Sequence, residues 1–183
     1  MEDPDRNVRH PSSLAAAPGR SDRLDRRVRA YIGLGSNVGD RSAELVKARG
    51  WLRGFDPGAK FSSEVETEPV DCLPGSPSFL NQVAEIVWGG RIGGLLDQTQ
   101  NYERSRGRKT LRLRNEPRRM DLDLLYAGDM KMRTSRLELP HPRMGQRRFV
   151  MELLAEICPE RRIAGLPGTV GETACWLRGQ KGM

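Results

Sequence analysis

The first apolar segment of the chain has the period of a strand, and the next has the period of a helix. A strand is predicted over 28–34, and a helix is predicted to run from the following turn to about Arg53. Either Asn37 or Asp40 would cap that helix, because their short side chains accept hydrogen bonds from free backbone N–H groups. The folded part of the chain therefore opens with a strand, a turn and a helix.

The middle of the chain predicts two more strands and a second helix. The strands are expected over 60–66 and 79–88. Residues at helical spacing then form one continuous stripe, which consists of Ile92, Leu95, Leu96, Thr99 and Tyr102. Gly107 is expected to end this helix, because glycine adopts the left-handed conformation that follows many helices.

The remaining predicted elements are short. They are a buried strand over 121–126, strands over 130–132 and 136–139, a helix from Gly145 or Phe149 to Ile157, and a last helix over 171–178. The order βαββαβ, with two helices, is the split βαβ pattern of a ferredoxin-like fold. We therefore predict an α+β sandwich in which helices pack on an antiparallel sheet.

Composition and charge narrow the class of protein. The 183 residues predict one domain, and a net charge of +7 favours an anionic partner such as a nucleotide, a nucleic acid or an acidic membrane. No apolar stretch approaches the roughly 18 residues that a membrane span needs. Cys72, Cys158 and Cys175 lie far apart, which argues against a disulfide framework or a zinc site. We expect a cytoplasmic monomer.

The N-terminal residues have a different composition from the rest. Residues 1–29 carry seven arginines and five acids. We predict that residues 1–27 form a disordered arginine-rich extension and that 28–183 form the folded domain. The acids argue against a transit peptide, and the apolar patch 14–17 is too short for the core of a signal peptide.

The most informative chemistry lies at Asp121-Leu122-Asp123. Alternate residues of a strand point to the same face, so both carboxylates can meet hard cations while Leu122 faces the core. Residues 104–119 carry eight basic side chains and a single acid, Glu116. A carboxylate pair beside a cationic loop suits a metal-held polyphosphate, although both features also occur as ordinary solvated surface.

Other motifs are less specific. The glycine-rich turn over 33–39 lacks the dinucleotide spacing and the Gly-Lys-Ser/Thr of a phosphate-binding loop, so a tight strand-to-helix turn is the better interpretation. His141, between two prolines, is held in a fixed pose that suits a phosphate contact, and a turn without chemistry fits equally well. Phe79 and Phe149 are typical core aromatics, or they sandwich a flat ligand whose edge Asn81 reads.

Five segments of the chain stand out together: AYIGLGSN at 30–37, ETEPV at 66–70, FLNQV at 79–83, PRRMDLDLL at 117–125 and LPHPRMGQRRFV at 139–150. In order and spacing they resemble the 6-hydroxymethyl-7,8-dihydropterin pyrophosphokinase family. The similarity covers about residues 28–165. It implies a ferredoxin-like fold and transfer of the β,γ-diphosphate of ATP to the hydroxymethyl group of a dihydropterin, with release of AMP, in folate synthesis.

The resemblance also implies roles by position. Two Mg²⁺ ions would be bound by Asp121 and Asp123. The transferring phosphates would be contacted from a mobile loop by Arg108 and Arg118. The pterin pocket would consist of Thr67, Val70, Phe79, Asn81 and Phe149. The ATP contacts would be Gln100, Glu103, Leu124, Arg136, His141 and Arg147.

The chain departs from the family pattern in the loop before the carboxylates. Arg-Asn-Glu-Pro-Arg at 114–118 stands where the family usually has Arg-Trp-Gly-Pro-Arg, so an aromatic is lost and an acid is gained. Asp71 and Thr110 replace a glycine and an arginine that members often have. Two alternatives stay open: a catalytically impaired member that binds pterin or ATP, and a basic nucleic-acid-binding domain. The aromatic content of 5% counts against the second alternative.

Overall fold

The computed structural model describes residues 27–69, 75–108 and 116–180. The strands are β1 (Val28–Ser36), β2 (Lys60–Phe61), β3 (Val65–Thr67), β4 (Phe79–Trp88), β5 (Asp121–Ala127), β6 (Met132–Arg133) and β7 (Glu138–Leu139). The helices are α1 (Arg41–Arg53), α2 (Ile92–Ser105), a 3₁₀ turn (Met144–Gln146), α3 (Arg148–Ile157) and α4 (Val170–Gly179). The bounds predicted for β4 are confirmed. β7 is shorter than predicted, and β6 begins two residues later than predicted and ends one residue later.

An antiparallel sheet forms the centre of the fold. Its order is β2-β4-β1-β5, and β3 also pairs with β4. Val28 of β1 lies opposite Trp88 of β4, and the pairing continues to Ser36 opposite Leu80. Together β2 and β3 occupy one strand position, so the order matches the split βαβ pattern. The predicted ferredoxin-like α+β sandwich is confirmed.

The single strand predicted over 60–66 is wrong, because the segment divides at Ser62. The backbone N–H of Ser62 donates to the Val83 carbonyl at 2.9 Å, and the Val83 N–H donates to the Ser62 hydroxyl at 2.9 Å. The Ser62 carbonyl accepts instead from the Gln82 side-chain amide at 2.7 Å. Side chains thus replace one step of the ladder, and β2 ends before β3 begins.

Two hydrophobic cores lie on opposite faces of the sheet. On one face Leu45 and Leu95 are fully buried between the sheet and the helices α1 and α2. On the other face Tyr31 and Val83 pack with Leu154 beneath α3 and α4. Since α3 and α4 lie outside the βαββαβ core, this second layer is an addition to the split pattern.

The helix termini resolve two open predictions. Asp40 caps α1, since its side chain accepts from the Ala43 N–H at 2.9 Å. Gly107 follows α2 with a φ of 94°, as expected for a glycine just beyond a helix. The predicted helix start at Gly145 or Phe149 becomes two elements, the 3₁₀ turn and α3.

Several predictions concern residues outside the described ranges. They are the extension over 1–26 and the positions Val70, Asp71, Cys72, Thr110 and Asn115. Within the described ranges, Cys158 and Cys175 are free thiols. Every described helix is too short or too polar to cross a lipid bilayer.

Candidate active site

The carboxylate pair lies on β5, at the edge of the sheet next to β1. Asp121 is opposite Gly35 and Asp123 is opposite Gly33. Leu122 points to the other face and is 5% exposed in the core beneath α1 and α2. The period of the strand therefore places both carboxylates on one face, as the sequence predicts.

Gly35 allows the neighbouring strands to bring their polar groups together. A Cβ atom on Gly35 would lie 3.2 Å from Asn81 Oδ1, 3.6 Å from the Phe79 ring and 3.9 Å from Asp121 Cβ. The glycine thus separates the carboxylate on β5 from the amide and the aromatic ring on β4. Three groups predicted to serve the site meet at this position.

Arginines neutralise both carboxylates. Arg118 Nη2 is 2.8 Å from Asp121 Oδ2, and Arg108 Nη1 is 3.5 Å from Asp121 Oδ1. Arg147 Nη1 is 3.7 Å from Asp123 Oδ2. The structure therefore brings together both predicted phosphate-binding arginines, a predicted ATP contact and the predicted metal ligands.

The electrostatics of Asp121 favour added positive charge. Burial and then the neighbouring Asp123 carboxylate raise the pKa of Asp121 well above its usual range, while Arg118 opposes that shift. A cation placed between the two carboxylates would offset the electrostatic repulsion between Asp121 and Asp123. Arg118 and Arg108 supply part of this compensation.

Glu103 supports the carboxylate strand from α2. Its side chain is about 2% exposed, and Oε1 accepts from the Leu122 N–H at 2.9 Å. Its Oε2 forms an ion pair with Arg108 Nη1. Glu103 is therefore already engaged with the strand and with a site arginine, so its predicted contact with ATP would have to share these atoms.

Asn37 holds the segment that leads into β5, a role that the sequence does not reveal. Its backbone N–H donates to the Arg118 carbonyl at 3.1 Å, and its side-chain Oδ1 accepts from the Arg118 N–H at 2.7 Å. Its Nδ2 donates to the Pro77 carbonyl at 3.4 Å. Asn37 thus does not cap α1 but positions the backbone of a site arginine.

The predicted pterin residues lie on β3, β4 and α3. Asn81 is 8% exposed and donates through Nδ2 to Thr67 Oγ1 at 2.8 Å. The Arg118 guanidinium carbon lies 5.7 Å from the centre of the Phe79 ring. Phe149 is in the first turn of α3 and packs against the second core. Phe79 and Asn81 thus lie across Gly35 from Asp121, and Thr67 adjoins Asn81.

Arg41 fixes the loop before β4, and it too was missed at the sequence level. Its Nη1 donates to Glu66 Oε1 at 2.8 Å, to the Ser78 carbonyl at 2.9 Å and to the Ser78 hydroxyl at 3.0 Å. These bonds connect the first turn of α1 with β3 and with the residue before Phe79. An arginine at this position gives no local signal, because its partners lie far along the chain.

The predicted ATP contacts fall into separate groups. Arg136 Nη2 donates to Asp97 Oδ1 at 2.6 Å and to Gln100 Oε1 at 3.3 Å, so Gln100 and Arg136 lie together beside α2. Leu124 is 5% exposed within the first core. Its side chain is therefore not available to a ligand, and only its backbone could contact one.

His141 lies near Asp123 and Arg147, directly after a cis Leu139–Pro140 peptide bond. Its backbone N–H donates to the Leu125 carbonyl at 2.7 Å, and its Nδ1 accepts from the Arg143 N–H at 3.2 Å. Burial lowers the pKa of His141 and the neighbouring arginines act in the same direction, while the Asp123 carboxylate opposes them. Because Nδ1 accepts from the Arg143 N–H, a neutral ring carries its proton on Nε2.

Comparison with a protein-family model identifies the matching part of the chain. Residues 31–159 match the model described as 7,8-dihydro-6-hydroxymethylpterin-pyrophosphokinase (HPPK). The 2-amino-4-hydroxy-6-hydroxymethyldihydropteridine pyrophosphokinase of Bacillus subtilis is 41% identical over 133 residues, which are 72% of this chain and 78% of the relative. The protein of the same name from Aquifex aeolicus is 36% identical over 70% of this chain and 79% of its own length.

Longer proteins contain a similar part. A folate synthesis bifunctional protein of Arabidopsis thaliana is 34% identical over 69% of this chain but only 26% of its own length. A Plasmodium falciparum HPPK-DHPS structure with pteroate superposes with a TM-score of 0.61 at 11% identity, covering 88% of this chain and 46% of that one. The present chain thus spans less than half of that structure, and the likeness to it shows the fold alone.

Proposed function

The chain belongs to the 7,8-dihydro-6-hydroxymethylpterin-pyrophosphokinase family, and from that premise we propose how its residues carry out the family's reaction. It is a diphosphokinase of folate biosynthesis, with ATP and the hydroxymethyl-dihydropterin as substrates. The observation that carries the assignment of residues is the convergence of Arg108, Arg118 and Arg147 on the Asp121/Asp123 pair.

The chemical step is a displacement at the β-phosphorus of ATP. The hydroxymethyl oxygen forms a bond to that phosphorus, and its proton is released to solvent. The bond from the β-phosphorus to the oxygen that bridges the α- and β-phosphates breaks, and AMP leaves with that oxygen. Because negative charge spreads over the phosphate oxygens, fixed cations around them lower the barrier.

The carboxylates of Asp121 and Asp123 are suitable ligands for Mg²⁺. We propose that together they hold two Mg²⁺ ions. Mg²⁺ is commonly bound through one or two carboxylates together with substrate phosphates and water. Once bound, the two ions would neutralise and orient the polyphosphate.

Arg108 and Arg118 are proposed to contact the transferred phosphates. Both side chains face Asp121. Arg118 Nε is buried and has no hydrogen-bond partner within the described part of the chain. A phosphate oxygen would satisfy this donor, and a buried unpaired N–H otherwise costs free energy.

The pterin is proposed to bind beside these arginines. The pocket residues are Thr67, Val70, Phe79, Asn81 and Phe149. The side-chain amide of Asn81 offers both a donor and an acceptor to the edge of the ring system, and Gly35 leaves room for this amide next to Asp121. Val70 keeps its assignment from the family resemblance, since it lies outside the described residues.

The nucleotide is proposed to lie along β5 toward α2 and the turn before α3. The contacts are Gln100, Glu103, Leu124, Arg136, His141 and Arg147. His141 would donate from Nε2 to a phosphate, and Arg136 would exchange its bonds with Asp97 and Gln100 for a ligand group. We further propose that residues 28–183 act as one catalytic domain and as a monomer.

Release of AMP from ATP tests the reaction and the metal site together. The purified chain should form AMP when ATP, Mg²⁺ and the hydroxymethyl-dihydropterin are all present, and omission of the pterin or the metal should stop it. Asp121→Asn should lower kcat by about 1,000-fold, because one ligand carboxylate is lost. Release of ADP, or equal rates with and without Mg²⁺, would contradict the proposal.

The same assay decides between an active and an impaired family member. That alternative depends on Asn115, which lies outside the described residues, and on Glu116. If AMP release is slow, substituting Asn115→Trp and Glu116→Gly together should raise the rate. An unchanged rate would show that these departures do not limit catalysis. The comparisons favour the enzyme and lend nothing to a nucleic-acid-binding domain.

A further inference from the structure

A buried carboxylate outside the site contacts both ends of the basic loop that carries the site arginines. Glu44 lies in the first turn of α1 and is 3% exposed. Its carboxylate faces the end of α2 and the segment before β5. Nothing in the family resemblance or in the assigned roles involves this residue.

The first contact is a two-point ion pair with Arg106. Arg106 Nε donates to Glu44 Oε2 at 2.7 Å, and Arg106 Nη2 donates to Glu44 Oε1 at 2.6 Å. This pairing fixes the plane of the guanidinium as well as its position. The bond lowers the pKa of Glu44 and raises the pKa of Arg106, so both groups keep their charge.

Arg106 stands immediately before the turn that leads to Arg108. Its backbone follows the last residue of α2, and Gly107 then turns with a φ of 94°. The Arg108 N–H donates back to the Glu103 carbonyl at 3.0 Å. Arg108 is thereby placed against Glu103 and Asp121. Fixing Arg106 therefore fixes the point from which Arg108 reaches the carboxylates.

The second contact is at the other end of the loop. Arg119 Nη1 lies 4.0 Å from Glu44 Oε1, the oxygen that also accepts from Arg106. Arg119 precedes Asp121 by two residues, and the backbone of its neighbour Arg118 is held by Asn37. One carboxylate on α1 thus lies between the two stems of the loop.

We propose that Glu44 is a positioning residue for diphosphate transfer, acting through Arg106 on Arg108. This inference rests on the proposed function of Arg108. A buried carboxylate loses hydration, and an apolar side chain of similar size would stabilise the fold as well or better. The directional hydrogen bonds that Glu44 accepts from Arg106 instead fix the position at which the basic loop begins. Loss of the charge should therefore lower kcat through the position of Arg108, in addition to its cost in stability.

The test is a double-mutant cycle measured through AMP release. Glu44→Gln keeps the shape of the side chain and removes its charge. It should lower kcat by about 10- to 100-fold, as expected when a catalytic group is displaced by around 1 Å. In an Arg108→Ala background the same substitution should change kcat by less than about twofold, because its target is already absent.

The matched control is Glu64→Gln, which also breaks an ion pair to α1. Glu64 Oε1 pairs with Arg49 Nη1 at 2.6 Å, away from the basic loop. Its kcat should stay within about twofold of the unsubstituted chain. Arg106→Gln gives a second route to the same loss, should Glu44→Gln fold poorly.

The outcomes separate this inference from the proposed function. If the unsubstituted chain releases no AMP, the proposed function is wrong. If it is active and Glu44→Gln has an equal effect with and without Arg108, the positioning role is wrong. An equal loss in Glu64→Gln would also overturn it. Affinity for a non-hydrolysable ATP analogue, measured by calorimetry, should weaken in Glu44→Gln and Arg106→Gln alike.

Discussion

At the scale of single residues, the site depends on small distances between side chains from different strands. Gly35 lies between Asp121 and Asn81, which belong to strands on either side of β1. Arg118 touches Asp121 with one nitrogen while its guanidinium faces the Phe79 ring. The proposed metal ligands and the proposed pterin pocket are therefore not independent, because one arginine contacts residues of both.

Gly35→Ala should weaken binding of the pterin by about tenfold, or about 1.4 kcal/mol. The added methyl group would lie 3.2 Å from Asn81 Oδ1, so the amide must move by a few tenths of an ångström. Gly33→Ala is the matched control, since its methyl group would meet the Leu125 side chain at an ordinary 3.6 Å. Fluorescence titration with the pterin measures both, and equal affinities would contradict the prediction.

Arg118→Lys should lower kcat by about 100-fold even though the charge is kept. A lysine ammonium lacks the planar fork that can contact Asp121 and a phosphate while facing the Phe79 ring. The assay is AMP release at saturating substrates. Arg133→Lys, an exposed arginine on β6, serves as the control and should retain full activity. Full activity of Arg118→Lys would show that charge alone suffices.

At the scale of elements, the turn between β1 and α1 connects the parts of the site. Asn37 in this turn holds the backbone of Arg118, and Arg41 at the start of α1 holds Glu66 and Ser78. Glu44, three residues further along in the same turn, holds Arg106. The beginning of α1 therefore serves as a common support for the segments that carry site residues. The position of the first turn of α1 should therefore be more important for activity than the length of the helix.

Asp40→Ala should lower the free energy of unfolding by about 1 kcal/mol. The side chain of Asp40 accepts from the Ala43 N–H at 2.9 Å, and its loss leaves the first turn of α1 with an unpaired donor. Ser42→Ala, at an exposed position of the same turn, is the control and should change stability little. Urea denaturation followed by circular dichroism compares them. If both variants lose the same free energy of unfolding, the capping role of Asp40 is wrong.

At the scale of the whole molecule, the basic side chains in and around the site are paired with carboxylates that the fold buries. The chain has a net charge of +7, yet arginines in the site and beside it are paired with buried or half-buried carboxylates. Such pairs make stability depend on pH. They also place Arg108 and Arg118 beside Asp121, where the polyphosphate is proposed to bind.

Glu44→Gln should destabilise the chain by about 1.5–3 kcal/mol at neutral pH, and the difference should shrink in acid. The Arg106 bond lowers the pKa of Glu44 in the folded state. The stabilisation is therefore complete above the ordinary glutamate pKa of about 4.3 and is lost as the pH falls toward the lower folded value. Urea midpoints between pH 3 and pH 7 measure this, with the exposed Glu68→Gln as control. A difference that is constant with pH would contradict the assignment.

The amino-acid sequence alone determined the order of the elements and the face of the carboxylates. The periods of two and 3.6 residues are local properties, so β4, α2 and the opposite directions of Leu122 and its two neighbours follow from them. The resemblance to the family predicted the reaction and the roles of the site residues. The prediction of one strand over 60–66 was wrong because the Ser62 hydroxyl replaces a backbone acceptor. The period of apolar residues carries no information about such a replacement.

Only the tertiary structure decided which charged and polar groups are partners. Asn37 meets Arg118 across 81 positions, and Glu44 meets Arg106 across 62. It also placed the Leu124 side chain in the core. Local periodicity assigns a residue to a face, whereas its partner depends on how distant elements pack. The sequence therefore predicted the two carboxylates that would hold the metal, and the fold determined which residues position the arginines around them.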